Sequence, residues 1–282
     1  DRLSSPRGVS PPHRRAVVAD AGAKPLPPQP VALGSLQFFN GLGGFSPDGR
    51  EYVTVLGPGQ STPAPWINVI SNASFGFQAA ADGGGYTWSQ NSRDNQLTPW
   101  SNDPVVDRPG EAFYVRDLDS GELWTPTARP VRIAQATYIV RHGRGYSRFE
   151  LVANGIALEL LQYVPLGDSL KISRLTLRNI SARPRRLSIT AYVEWVLGLA
   201  RGGAGPTVVT ERDGETGAIF ARNRWNLHHG GRVAFADLAK ECLDGVPGTL
   251  VRHLEVLGLA QVAENMTKHR NVLEVGLMHA TG

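Results

Sequence analysis

The sequence predicts an all-β protein, a large antiparallel β-sandwich with a disordered N-terminal leader and a short helical C-terminal tail. Three observations carry that prediction. Residues Arg186 to Val196 alternate strictly: Leu187, Ile189, Ala191, Val193 and Trp195 fall on one side, and Arg186, Ser188, Thr190, Tyr192 and Glu194 on the other. That is the period of a half-buried strand. Four further segments, Val131 to Arg141, Tyr146 to Ala153, Ile156 to Val164 and Leu170 to Ile180, follow one another at near-constant spacing. Turn residues such as Asn154-Gly155 and Gly167-Asp168 separate the later ones, as in an antiparallel meander. The counts of 32 glycines and 20 prolines favour short strands and tight turns over long helices.

Each element has its own reason. Residues 1–33 are rich in Pro, Arg and Ala and lack periodicity, which predicts a disordered leader or linker. The sandwich domain is expected over residues 34–238. Within it, Ser46 to Gly49 makes a hairpin turn before a strand at Glu51 to Leu56. Phe75 to Ala80 is a strand ended by the turn Asp82 to Gly85, and Tyr86 to Ser89 resumes the extended chain. Gln90 to Pro109 shows little alternation, and Pro99, Pro104 and Pro109 interrupt any ladder, so a long structured loop is expected there. Glu111 to Arg116 and Glu122 to Thr125 flank a turn. Val208 to Glu211, Ala218 to Ala221 and Arg232 to Ala236 continue the strands. Over residues 239–282, Leu250, Leu254, Leu257 and Val262 recur near helical spacing, which predicts a helical tail.

Composition narrows the function classes. One cysteine, Cys242, rules out an internal disulfide and fits a reducing, cytoplasmic setting. No apolar run reaches the roughly 18 residues of a membrane span, and no signal peptide is recognisable. The net charge of +4 comes partly from Arg183, Arg185 and Arg186 near a turn, expected to be solvated. No basic face with a recognisable module points to nucleic acid. The histidines, including the adjacent His228 and His229, lack ligand spacing, so no metal or other cofactor is expected. The glycine turns at Gly41 to Gly44 and Gly83 to Gly85 lack the setting of a phosphate loop.

The chemistry concentrates between Thr62 and Trp124, where four of the six tryptophans fall: Trp66, Trp88, Trp100 and Trp124. Flat rings beside short polar side chains suit a carbohydrate, with its apolar C–H faces and rim of hydroxyls. The candidate sugar contacts are Trp88, Asn91, Arg93, Asn95, Trp100, Asn102 and Asp103. Arg93 offers a planar fork of donors, and Asn91 and Asn95 offer both donors and acceptors. The same residues also suit a structural role, with Arg93 paired to Asp94 or Asp103 and the asparagines capping turns. Trp66, between Pro65 and Ile67, is expected to anchor the loop, and Trp195 to pack in the core. Asp103, Asp107 and Glu111 invite a paired-carboxylate reading, but no spacing fixes two carboxyls across a glycosidic bond.

The blocks FFNGLGGFSPDGREYV (Phe38 to Val53), TPAPWINVI, GGGYTWSQNSRDNQLTPWSNDPV, GEAFYVRD and YVEWVLG carry a family resemblance. Together they resemble the amino-terminal β-sandwich domain of the family 94 glycoside phosphorylases, nearest to the phosphorylase-like region of cyclic β-1,2-glucan synthases. The likeness covers Leu36 to Leu238. It implies a supersandwich of the galactose-mutarotase type, followed in such proteins by a helical linker and an (α/α)₆ barrel with the catalytic aspartate. It also implies inorganic phosphate as co-substrate of the parent enzyme, a β-glucan or oligosaccharide as ligand, and a homodimer. In the synthases the parent is expected at the inner membrane. No residue here matches the barrel's catalytic or phosphate-binding segments, so no catalytic residue is carried over. Three readings stay open: an accessory sandwich without its catalytic barrel, a stand-alone carbohydrate-binding module, and a structural dimerisation domain.

Overall fold

The structure is a computed structural model that describes residues 36–101, 103, 108–204, 206–215, 217–241, 251–255, 259–266 and 270–281, with the backbone alone from 238 onward. The leader expected over residues 1–33 lies outside the described residues. In chain order the strands are β1 (Gly43–Phe45), β2 (Glu51–Leu56), β3 (Ile67–Ser71), β4 (Phe75–Ala80), β5 (Gly85–Ser89) and β6 (Glu111–Asp117). Next come β7 (Leu123–Trp124), β8 (Tyr138–Gly143), β9 (Tyr146–Ala153), β10 (Ile156–Tyr163), β11 (Leu170–Asn179) and β12 (Arg185–Val193). One helical turn, α1 (Arg201–Ala204), precedes β13 (Val209–Arg212), β14 (Ile219–Arg222), β15 (Arg232–Glu241), β16 (Val251–Glu255), β17 (Leu259–Met266) and β18 (Arg270–Thr281).

All strand pairs are antiparallel, as the meander predicted. They build a ten-stranded sheet in the order β1-β2-β8-β9-β10-β11-β18-β15-β14-β13, a five-stranded sheet β16-β17-β12-β6-β7, and a three-stranded sheet β3-β4-β5. The inner residues of the large sheet, such as Leu56, Tyr138, Phe149, Leu151, Leu160 and Leu177, share one core with Phe113, Trp124, Leu187 and Ile189 of the five-stranded sheet and Ile70, Phe77 and Ala79 of the three-stranded one. The two smaller sheets therefore cover one face of the large one, a sandwich closed by apolar burial. β12 keeps its expected facing: Leu187, Ile189, Ala191, Val193 and, just beyond, Trp195 are buried.

The helical tail is a correction. β16, β17 and β18 are strands, and β18 runs inside the large sheet between β11 and β15. Backbone pairing on both sides decides the conformation there, overriding a leucine spacing that local sequence reads as helical. The ladder partners of β18 lie about a hundred residues away in β11, beyond the reach of any local window. A second correction concerns Arg185. It is not solvated but buried, paired with the buried Asp117 across β12 and β6. Burial raises the Asp117 carboxyl, but hydrogen bonds from Arg185 and from the amides of Asp119 and Ser120 outweigh it and hold the group below its ordinary range.

One ionic cluster ties the three sheets together. Lys171 of β11 donates to Glu111 of β6 at 2.8 Å, and Glu111 also accepts from Thr87 of β5 at 2.5 Å and from Thr98 at 2.7 Å. The ammonium lies 4.3 Å from the centre of the Phe77 ring. Burial alone would raise the Glu111 carboxyl, but Lys171 and the two hydroxyls outweigh it and lower the group. Glu111 is thus committed to the framework, which removes it from any carboxylate pair. Asp107 lies outside the described residues.

Candidate functional site

The long loop after β5 is built by its own polar residues. Asn91 accepts from the amides of Arg93 and Asp94 at 2.9 Å each, so its side chain caps the turn. Asn95 is 1% exposed and donates to the Ser89 carbonyl at 2.9 Å, so it holds the loop from within and cannot reach a ligand at the surface. Arg93 and Asp103 are exposed, and Asn102 lies outside the described residues. Among the predicted contacts, the structure brings Trp88 and Trp100 together. Both pack on Tyr86, with ring centroids 5.1 and 5.4 Å apart, and Trp100 is stacked on Tyr86 with 17° between planes. Trp100 keeps 39% of its surface in solvent.

The aromatic group sits on the outer face of the three-stranded sheet. Directly opposed residues share a face, and Gly76 opposes Trp88, Gln78 opposes Tyr86, Val69 opposes Gln78 and Ile67 opposes Ala80. Trp88 lies flat on Gly76, where an added Cβ would come within 2.5 Å of its ring. Only glycine admits this packing. Ile67 and Val69 are 47% and 56% exposed on the same face. Trp66 behaves as expected, packing against the core and meeting Tyr52 edge-on at 6.0 Å.

The loop also extends this sheet. Gln96 bridges Trp88 on one side and Gly198 on the other, with reciprocal amide–carbonyl bonds of 3.0 Å to Gly198. The Gln96 side chain accepts from the Trp100 amide at 3.1 Å, which fixes Trp100 over the outer face. Beyond Gly198 a cleft opens, with a volume of about 550 Å³. Its walls are Leu199, Trp225 and Leu227, which are 63%, 80% and 95% exposed, and Asp94, Thr207 and His228 stand among its lining. Leu197, beneath it, has a left-handed backbone with φ of 46°, a strained state for a branched residue. The side chains of Asn223 and Asn226 stabilise it by donating to its carbonyl at 3.1 and 3.0 Å. His229, next to His228, is held below its ordinary pKa by burial first and by Arg232 and His228 after it, with Asp94 acting the other way.

The sequence reading missed this cleft. The signal was present in Asn223-Arg-Trp-Asn-Leu-His-His229, which repeats the mixture of tryptophan and short polar residues seen in the earlier loop. It lay more than a hundred residues from that loop, and tertiary contacts such as the Gln96–Gly198 bridge and the Val196–Leu97 hydrogen bond bring the two together.

Stacked antiparallel sheets with their apolar faces buried between them, and an aromatic loop on the outer face, define the molecule as an antiparallel supersandwich domain. The chain belongs to the glycosyl hydrolase 94 family through that family's supersandwich domain, whose model matches residues 50–252. It is similar to the cyclic β-(1,2)-glucan synthase NdvB of Rhizobium meliloti (strain 1021), 48% identical over 202 residues that cover 72% of this chain and 7% of that protein. It is also similar to N,N'-diacetylchitobiose phosphorylase of Vibrio proteolyticus, 34% identical over 155 residues, covering 54% of this chain and 19% of that one. Solabiose phosphorylase of Paenibacillus borealis is 31% identical over 164 residues, covering 57% and 21%. The chain spans about a fifth or less of each relative's length. Among the described residues, no helix is long and apolar enough to cross a membrane.

Proposed function

We propose that this chain is an accessory, carbohydrate-binding supersandwich domain of a β-glucan-processing glycosyltransferase or phosphorylase. The carrying observation is the half-exposed Trp100 ring stacked on Tyr86, in the loop that also bears the exposed Arg93. An indole held flat by a second ring is preorganised for the C–H face of a hexose, and the guanidinium supplies directional donors. Bond cleavage, with inorganic phosphate as co-substrate, belongs in this reading to a helical-barrel catalytic domain. The relatives named as a glucan synthase and as disaccharide phosphorylases support the substrate class.

Calorimetric titration of the chain with β-1,2-gluco-oligosaccharides tests the reading. Saturable binding is expected, weakened about tenfold in Trp100→Ala, the equivalent of about 1.4 kcal/mol. Absence of binding overturns it. Phosphate release by the chain alone, from glucose 1-phosphate and a glucan acceptor, overturns the accessory role. A second reading, a self-association face, is favoured by the solvent-facing Ile67 and Val69.

A further inference from the structure

We infer that the cleft beside Gly198 is a second sugar subsite, joined to the Trp88–Trp100 platform in one track that takes an extended β-gluco-oligosaccharide. The inference rests on the carbohydrate-binding reading above and assigns it a direction and a length. Gly76, Trp88, Gln96 and Gly198 follow one another as direct ladder partners, so all four lie on the same face of one continuous run of paired strands. Two ladder steps separate Trp88 from Gly198, roughly 10 Å at the usual spacing between neighbouring strands. A sugar chain laid across the strands from the platform therefore passes over the loop residues that cover Gln96 and reaches the cleft at Gly198.

The chemistry along that line changes in the way an oligosaccharide needs. On the platform, Trp100 offers a ring face. At the crossing, Gln96 is 4% exposed, its side chain held between the Arg93 carbonyl and the Trp100 amide, so the loop itself paves the passage, and Gly198 adds no side chain at the cleft edge. In the cleft, Trp225 offers a second, largely exposed indole, with Asp94 and His228 beside it to accept and donate hydrogen bonds to hydroxyls. A volume of about 550 Å³ lies within the range of small-molecule sites and suits one or two hexose rings. Asp94 belongs to the loop that carries Arg93, so the loop borders both ends of the track. The strained Leu197 carbonyl, held by Asn223 and Asn226, fixes the cleft floor to the segment that bears Trp225.

Two substitutions address the cleft without touching the platform. Trp225→Ala removes an exposed ring. Gly198→Leu places a side chain at the crossing; a Cβ there meets only the Val196 carbonyl at 3.7 Å and the Asn223 amide at 3.9 Å, ordinary contacts that leave the backbone in place. The experiment is calorimetric titration with β-1,2-gluco-oligosaccharides of increasing length, from the disaccharide upward, on the full chain. The expected result is affinity that climbs about tenfold with length in the parent and stays flat in both variants, while disaccharide binding is kept. Trp100→Ala lowers affinity at every length. If the climb persists in both variants, or the parent shows none, the track is wrong although the platform reading survives. If the parent binds no oligosaccharide of any length, platform and track fall together. The Trp225 indole N–H resonance of the parent gives the same answer without a mutation: it shifts with the longer ligands and stays put with the disaccharide, and an unmoved signal throughout overturns the track.

Discussion

The two faces of the three-stranded sheet have opposite fates although the same strands build both. On the inner face Phe77, Ile70 and Ala79 are at most 4% exposed and join the common core. On the outer face Ile67, Val69 and Trp100 keep between 39% and 56% of their surface in water. A solvent-facing sheet surface is ordinarily polar, as alternation of apolar and polar residues requires. Here Ile67, Asn68 and Val69 reverse that rule: the polar Asn68 points inward and its apolar neighbours outward. Asn68 is accommodated because its amide donates to the carbonyls of Gly143 and Tyr146 at 2.9 Å each. The sheet thus gives up some inward apolar area and displays it outside, which is expected where a face is used for contact rather than for stability.

That contrast can be broken directly. Phe77→Ala on the inner face empties a fully buried site that also lies against Lys171, and it is expected to cost about 3–5 kcal/mol in urea unfolding. Trp100→Ala on the outer face is expected to cost less than about 1 kcal/mol while weakening sugar binding. Equal losses of stability from the two would show that the outer aromatics are core, not contact.

The pH dependence of stability sharpens the inner side. His142 is mostly enclosed, with Nδ1 at 2.9 Å from the Ser147 hydroxyl, and burial lowers its pKa from 6.5 to about 4. Between those values the unfolded chain binds a proton that the folded chain refuses. Stability is therefore level above about pH 6.5, falls as pH drops, and levels again below about 4, a loss of roughly 3 kcal/mol. His142→Gln is expected to flatten this window in denaturation curves taken between pH 7 and 4, and an unchanged slope would remove His142 as the cause. Glu111, whose carboxyl is lowered, acts in a separate and lower window: its contribution is present above the ordinary carboxylate range and is lost below it.

The smallest effect distinguishes use from accident on the outer face. Val69→Lys is expected to change stability by less than about 0.5 kcal/mol, because the side chain is more than half exposed. If Ile67 and Val69 form a self-association face, the same substitution abolishes a dimer seen by sedimentation. An unchanged sedimentation profile from a dimeric parent would exclude that face.

Much of the fold was legible locally. Tyr146 to Ala153 and Ile156 to Tyr163 were readable because an alternating pattern was bounded by Asn154 and Gly155, which turn the chain with φ of 52° and 75°. β8 starts at Tyr138 and not at Val131, where the apolar pattern begins, because the apolar residues before it serve a loop. The site was legible in part. Trp88 and Trp100 were singled out by the polarity around them, whereas Asn95 has the composition of a surface contact and the burial of a core residue.

By itself the sequence determined the class of the molecule, since strand periodicity and turn chemistry are properties of neighbouring residues. It also marked one of the two loops that carry exposed tryptophans, the one with Trp100, but not the one with Trp225. Tertiary structure alone decided that β18 fills the middle of the large sheet, that Arg185 is buried against Asp117, and that Gln96 bridges the strand of Trp88 to Gly198, at the edge of the cleft that Trp225 lines. Each of these depends on a partner tens to more than a hundred residues distant, and the energy of such a contact exists only once the chain has closed the intervening loop.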